Sequence, residues 1–295
     1  MPRDDLDPPI PTTAPDLGRR EFVRAAVGTG FAAAVLPVTA QTIRTDSAGL
    51  TVGEVTVPVG DFKMPAYRAM PADAKAGAKL PVVLVVSEIF GVHEHIADIA
   101  RRFAKQGYLA IAPELFVRQG DAGSYGEISK LMSEVVNKVP DAQAMGDLDA
   151  CVAWAQGHGG DASRVGITGF CWGGRITWLY AAHGSKARAA VAWYGRLVGQ
   201  PNPLQPANPI DVVGRLGAPV LGLYGGEDGG IPQATVEQMK AALVNGSAAA
   251  RQSQFVVYPG AQHAFNADYR PSYDKASAED GWRRCLEWFR AKGVA

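Results

Sequence analysis

Cysteine is scarce in this 295-residue chain, which has only Cys151, Cys171 and Cys285. Three are too few for a disulfide framework, and no Cys-x-x-Cys or Cys/His cluster has zinc-ligand spacing. The odd number leaves at least one thiol unpaired within the chain. Net charge is missing too: 29 Lys and Arg are matched by 29 Asp and Glu. That balance gives no electrostatic case for nucleic acid or an anionic membrane surface as a partner. No run of about 20 strongly apolar residues occurs, so no permanent membrane anchor is expected. The 34 glycines and 20 prolines carry no period, which excludes collagen-like and low-complexity readings. What is present is an ordinary globular balance, 47% hydrophobic and 20% charged. The length suits one large α/β domain or two small ones.

Residues 1–40 read as an address. A polar, Pro-rich start leads to Gly18-Arg19-Arg20-Glu21-Phe22-Val23-Arg24, then an uncharged stretch from Ala25 to Val38 that ends on small residues at Ala40. A basic segment, a short apolar segment and a small-residue exit are the secretory pattern. The paired arginines make it resemble a twin-arginine signal. The alternative is a tail followed by an amphipathic helix packed on the domain. The expected destination is the bacterial periplasm or the exterior, reached through the twin-arginine export machinery. Removing this segment takes away four basic and five acidic residues, so the charge argument survives.

The remainder, residues 41–295, alternates strand and helix. Thr51–Val57 and Met64–Ala69 predict a hairpin at a sheet edge. Leu80–Val86 (LPVVLVV) is continuously apolar and β-branched, as in a parallel strand buried on both faces. Further strands are predicted at 107–112, 164–168, 189–194, 220–224 and 255–258. Helices are predicted at 95–106, 129–139, 142–156, 233–244 and 275–292. The expectation is one α/β domain with a single mostly parallel sheet and helices on both faces. The tract Gly199–Pro209 is expected to be a rim or cap loop.

In such folds ligands bind beyond the carboxyl ends of the strands. After the strand at 164–168 comes Gly169-Phe170-Cys171-Trp172-Gly173-Gly174, a G-x-C-x-G turn between strand and helix. This is a nucleophile elbow with Cys171 as the nucleophile, held at a helix N-terminus that favours a thiolate and an oxyanion. The bland readings are a buried Cys in a Gly-rich turn or a phosphate loop, but no G-x-G-x-x-G or G-K-[ST] accompanies it. Past the next strands lie Gly226-Glu227-Asp228-Gly229 and Gly260-Ala261-Gln262-His263. The order Cys171, Asp228, His263 is nucleophile, acid, base. Asp228 is preferred to Glu227 because a turn begins there, although the sequence leaves both open. Cys151 and Cys285 lie on apolar helix faces and read as core.

With GFCWGG, GGEDGGIP and YPGAQHAF, the chain resembles the dienelactone hydrolase family. Ser87-Glu88-Ile89-Phe90-Gly91-Val92 and Pro113-Glu114-Leu115-Phe116 match as well, so the similarity runs over about residues 50–293. The resemblance implies a single α/β-hydrolase fold and hydrolysis of a small lactone or ester such as a dienelactone (a carboxymethylenebutenolide), without cofactor or metal. It implies that Glu88 holds the resting thiol, and that the N–H groups of Ile89 and Trp172 form the oxyanion hole. It also implies that Arg118 binds a substrate carboxylate. A second arginine of the family is replaced by Ala267, with Arg270 nearby in a different register. Trp172 stands where a smaller aliphatic residue is usual. Trp172 and Trp193 are expected to face the pocket.

Some alternatives stay open. Glu88 could cap the helix that starts near His95, and the pair His93, His95 resembles a metal site although the two are expected to point apart. A broad-specificity periplasmic carboxylesterase, a ligand-binding protein without turnover, and a thiol peroxidase or redox sensor are the competing functions. The assembly is expected to be a monomer or a small homo-oligomer.

Overall fold

A computed structural model describes residues 42–74, 77 and 79–295. The export segment expected at 1–40 lies outside them. Eight strands form one sheet: β1 (Leu50–Val59), β2 (Phe62–Pro71), β3 (Leu80–Val86), β4 (Leu109–Pro113), β5 (Gly160–Phe170), β6 (Ala187–Trp193), β7 (Val220–Gly225) and β8 (Gln254–Tyr258). Their order is β1-β2-β4-β3-β5-β6-β7-β8. β1 and β2 form the predicted antiparallel hairpin at one edge, and β2 pairs antiparallel with β4. All later pairings are parallel. The helices are α1 (Glu94–Lys105), α2 (Ile128–Glu134), α3 (Asp141–Gly157), α4 (Trp172–His183), α5 (Gln233–Val244) and α6 (Lys275–Ala291).

The central strands are apolar on both faces because both are covered. Val82 to Val86 of β3 are fully buried, as a parallel strand between two helical layers requires. On one face α1 and α6 meet through Phe103 and Trp282, ring centroids 4.6 Å apart, with Phe289 behind them at 6.0 Å. On the other, α3 and α4 are joined by the buried bidentate pair Arg175–Asp141 at 2.7 and 2.8 Å and by Tyr180 donating to Asp149 at 3.0 Å. Cys151 and Cys285 are fully buried in these layers, and burial pushes both thiols well above the ordinary value.

One local expectation needs correction. The helix predicted over 129–139 stops at Glu134, and a 3-10 turn, Val136–Lys138, follows it. The β-branched pair Val135-Val136 and the following Pro140 disfavour a continuing helix. The tract 199–209 is a loop, as expected, and it is tied down. Gln205 and Asn208 are buried, Asn208 and Asp211 form a capping box, and Ala207 accepts from Arg175 at 2.7 Å.

Parallel pairing decides where the chemistry sits. Val86 is in register with Gly169, Phe170 with Trp193, and Gly225 with Tyr258. The residues that follow β3, β5, β6, β7 and β8 therefore emerge along one edge of the sheet.

Candidate active site

Cys171 occupies the turn between β5 and α4 at φ 54°, ψ −113°, a strained region for a residue with a side chain. The glycines around it are required by close packing. A Cβ on Gly169 would collide with the Gly173 carbonyl, and one on Gly173 with the carbonyls of Val86 and Ser87. The backbone of Cys171 is tied to the neighbouring strand by its N–H to Trp193 O at 3.0 Å. Its side chain is half-buried. Trp172 opens α4 directly after Cys171, where the first N–H groups of a helix have no preceding carbonyl to bind. Ile89 lies just past β3, on the neighbouring strand end.

Asp228 is buried while Glu227 is exposed, which distinguishes the two acids that the sequence left open. Asp228 Oδ1 accepts the N–H groups of Gly230 (2.8 Å) and Ile231 (3.1 Å). Its Oδ2 lies 2.7 Å from His263 Nδ1. Burial works against a charged His263, but its hydrogen bonds to Asp228 and Cys171 outweigh this and raise the imidazole from 6.5 to about 10. The structure therefore brings Cys171, His263 and Asp228 together, with the imidazole between thiol and carboxylate. Tyr194 packs its ring edge-on against His263 at 5.2 Å.

Glu88 is buried, but its partner is Tyr269, whose hydroxyl donates to Oε2 at 2.5 Å. Burial pushes the carboxyl up, yet the positive charge of Arg270 and the Tyr269 hydroxyl hold it below its usual value. Glu88 does not cap the following helix. His93 is the N-cap of α1, and Glu94 supplies the acidic first turn. The rings of His93 and His95, expected to point apart, stack at 6.1 Å with 20° between their planes. Both rest against Tyr269, at 5.0 and 5.4 Å. His93 is buried, and burial together with His95 lowers it to about 3. Among the described residues, no group of three or more His, Cys, Asp or Glu is arranged to hold a metal ion.

The substrate-facing residues expected from sequence divide into three outcomes. Arg270 reaches the site. Ala267 is fully buried, and successive turns, Ala267 N–H to Ala264 O and Arg270 N–H to Ala267 O, carry the chain on to Arg270. Its guanidinium lies over Phe90 at 5.0 Å, with Nε 3.4 Å from the Tyr269 hydroxyl. Arg118 is held in a bidentate pair with buried Asp147 at 2.6 and 2.8 Å and lies over Phe62 at 4.0 Å. Any recognition of substrate must share that guanidinium with Asp147. Trp193 is not a pocket wall: it is buried, donates to Thr168 Oγ1 at 3.0 Å and stacks on Phe170 at 5.4 Å. Neighbouring residues at a strand end point to opposite faces, and Tyr194 is the one turned to His263. Trp172 packs against Phe116 at 4.7 Å.

Sequence reasoning missed Tyr194, Tyr269 and Arg196. Arg196 follows the Tyr194-Gly195 turn and is exposed. It makes no ion pair among the described residues, and Cys171 is one of the charges acting on it. Its place three residues past the Trp193 strand end was the only signal in the sequence that pointed to it.

A mostly parallel eight-stranded sheet whose carboxyl edge carries a strained Gly-x-Cys-x-Gly turn belongs to the α/β-hydrolase class of fold. Comparison with known proteins narrows the class. The model of the Dienelactone hydrolase family matches residues 64–293, and the chain belongs to that family. A Methylorubrum extorquens protein described as "Putative carboxymethylenebutenolidase" is 59% identical over 281 residues, covering 95% of this chain and 94% of the relative. An Escherichia coli (strain K12) protein with the same description is 53% identical over 264 residues, 90% of this chain and 96% of the relative. The crystal structure of a Klebsiella pneumoniae protein described as "Putative Dienelactone Hydrolase" superimposes with TM-score 0.79 at 57% identity, covering 82% of this chain and 98% of that one. The protein is a hydrolase of the carboxymethylenebutenolidase-like type.

Proposed function

We propose that this protein hydrolyses a lactone or small carboxylic ester through a thioester on Cys171, with His263 as base and Asp228 as its orienting acid. The observation that carries the reading is the His263 Nδ1–Asp228 Oδ2 contact of 2.7 Å beside a cysteine held in a strained turn. Asp228 fixes the tautomer that leaves Nε2 toward the sulfur. His263 takes the thiol proton, and the thiolate attacks the acyl carbon. The oxyanion then faces the N–H groups of Ile89 and Trp172. His263 returns the proton to the departing oxygen. Water next attacks the thioester, giving its proton to His263 while sulfur leaves, and the carboxylic acid product departs.

A substrate that carries a carboxylate, as a dienelactone does, is supported by two guanidinium groups. Those of Arg270 and Arg196 both have Cys171 as a charge neighbour, and Arg196 has no competing ion pair among the described residues. The test is hydrolysis of a dienelactone beside a neutral aryl ester, with Cys171→Ala as the blank. Loss of turnover in the variant, with an acyl adduct on Cys171 trapped in the wild type, is the expected result. Retained hydrolysis moves the nucleophile elsewhere. A preference for the neutral ester keeps the thioester chemistry but makes the protein a broad carboxylesterase.

The Arg19-Arg20 segment supports export to the bacterial periplasm by the twin-arginine route. Cell fractionation of an Arg19→Lys, Arg20→Lys variant tests it, since cytoplasmic retention is expected. Unchanged export would remove the assignment.

A further inference from the structure

A carboxylate next to a thiol opposes formation of the thiolate, because two negative charges then share one site. Glu88 is placed to do this. Glu88 and Cys171 each stand two residues past the registered pair Val86 and Gly169, on strand ends separated by about 5 Å. Yet Glu88 makes no hydrogen bond to Cys171. Its Oε2 takes the Tyr269 hydroxyl at 2.5 Å, and its buried Oε1 accepts no hydrogen bond.

Tyr269 has little freedom to move. His93 packs edge-on against its ring at 5.0 Å, and His95 lies tilted against it at 5.4 Å. The preceding residue is pinned: Asp268 Oδ1 lies 3.0 Å from His95 Nδ1, and Oδ2 accepts Ile43 N–H at 2.8 Å and Arg102 at 3.4 Å. Two buried imidazoles on one side and a fixed turn on the other thus aim a single hydroxyl at Glu88. A phenol donating to a carboxylate is a charge-assisted, short hydrogen bond.

We propose that Tyr269 is a positioning residue whose hydroxyl holds the Glu88 carboxylate off Cys171, so that the thiol is paired with His263 before any substrate arrives. The proposal rests on Cys171 being the nucleophile. It departs from the arrangement that the sequence resemblance implied, in which the carboxylate rests on the thiol and is displaced by substrate. The charged and titratable groups facing Glu88 are Arg270 beside Tyr269, His93 and His95 at the start of α1, and Tyr194 after β6. Of these, Tyr269 is the one that donates a hydrogen bond to it. Without that donor the buried carboxylate needs another, and the Cys171 thiol stands at the adjoining strand end.

The test is the rate of alkylation of Cys171 by iodoacetamide in the full chain across pH 5–9, with the adduct located by mass spectrometry. Cys151 and Cys285 are fully buried and do not compete. The wild type is expected to be alkylated faster than Tyr269→Phe over the acidic half of that range, because its thiol is paired with His263 and not with a carboxylate. Tyr269→Phe should slow alkylation at pH 6.5 about tenfold and move the half-maximal pH up by about one unit. Adding Glu88→Gln to Tyr269→Phe should restore the rate to within about twofold, because the released side chain then carries no charge. A purely structural role for Tyr269 would not be rescued in this way.

An unchanged profile in Tyr269→Phe, or a double variant as slow as the single, overturns the proposal. If Tyr269→Phe does not fold, Glu88→Gln alone decides: a carboxylate already held off the thiol predicts alkylation within about twofold of the wild type, and a rate about tenfold faster overturns the proposal. The same alkylated samples are assayed for ester hydrolysis. Full hydrolysis with Cys171 blocked would remove the nucleophile assignment itself, whereas blocked hydrolysis with an unaltered Tyr269→Phe profile would remove the positioning role alone.

Discussion

Replacing Asp228 by Asn keeps the shape of the side chain and removes its charge. The Gly230 and Ile231 N–H groups both require an acceptor at Oδ1, so the new amide keeps its carbonyl there. Its NH2 is then turned to His263 Nδ1, the atom that now donates to Oδ2 at 2.7 Å. The imidazole is forced into the opposite tautomer, with a proton on Nε2 where the thiol proton must go. A second loss is electrostatic. His263 is raised from 6.5 to about 10, a preference for the imidazolium of roughly 5 kcal/mol. Its side chain is 34% exposed, and solvent screening leaves about half of that. Asp228 shares the remainder with Cys171, so its own part is on the order of 1–2 kcal/mol, or about tenfold in the population of the charged pair. With the tautomer error added, kcat/KM for ester hydrolysis should fall by about 10³-fold. Steady-state hydrolysis measures the rate, and ¹⁵N NMR of the imidazole reads the tautomer. A variant within about tenfold of the wild type, or an unchanged tautomer, would refute the reasoning.

Three further outcomes follow from the geometry. Arg196→Ala should weaken a carboxylate-bearing ester about tenfold more than a neutral one, and equal losses on the two substrates in parallel KM measurements would count against recognition of the anion. Arg118→Ala should lower stability by about 3–5 kcal/mol in urea unfolding, because it strands buried Asp147, whose carboxyl burial already pushes up; a midpoint like that of the wild type would contradict this. His93, lowered from 6.5 to about 3, refuses a proton in the folded state that the unfolded chain accepts below about 6.5. Stability should therefore fall as pH drops from 6.5 to 3, and His93→Phe should flatten that limb in thermal melts taken across the range. A limb as steep in the variant as in the wild type would assign the acid sensitivity to other groups.

Much of the architecture could be read directly from residue pattern. LPVVLVV predicts β3 at Leu80–Val86, and the helix at Gln233–Val244 is found with its expected bounds. Both are set by local periodicity and by the punctuation around them. The elbow was legible for the same reason, since glycines at fixed offsets from Cys171 answer to a turn whose steric demand is local. The chain order of Cys171, Asp228 and His263 could also be read, because each follows an apolar strand and parallel strands deliver their ends to one edge.

Contacts between distant segments were not legible. Glu88 and Tyr269 are 181 residues apart and Arg118 and Asp147 are 29 apart, and no periodicity links them. Which acid meets His263 depended on one residue of turn geometry that buries Asp228 and exposes Glu227. A one-residue parity at the end of β6 sent Trp193 into the core and Tyr194 to the imidazole. Residue pattern alone set the strands, most of the helices and the residue types at the strand ends, because those depend on neighbours along the chain. Which cations are already paired, which carboxylate meets the imidazole and which aromatic ring lines the site follow from the fold instead, because each of these depends on how close distant side chains approach through space.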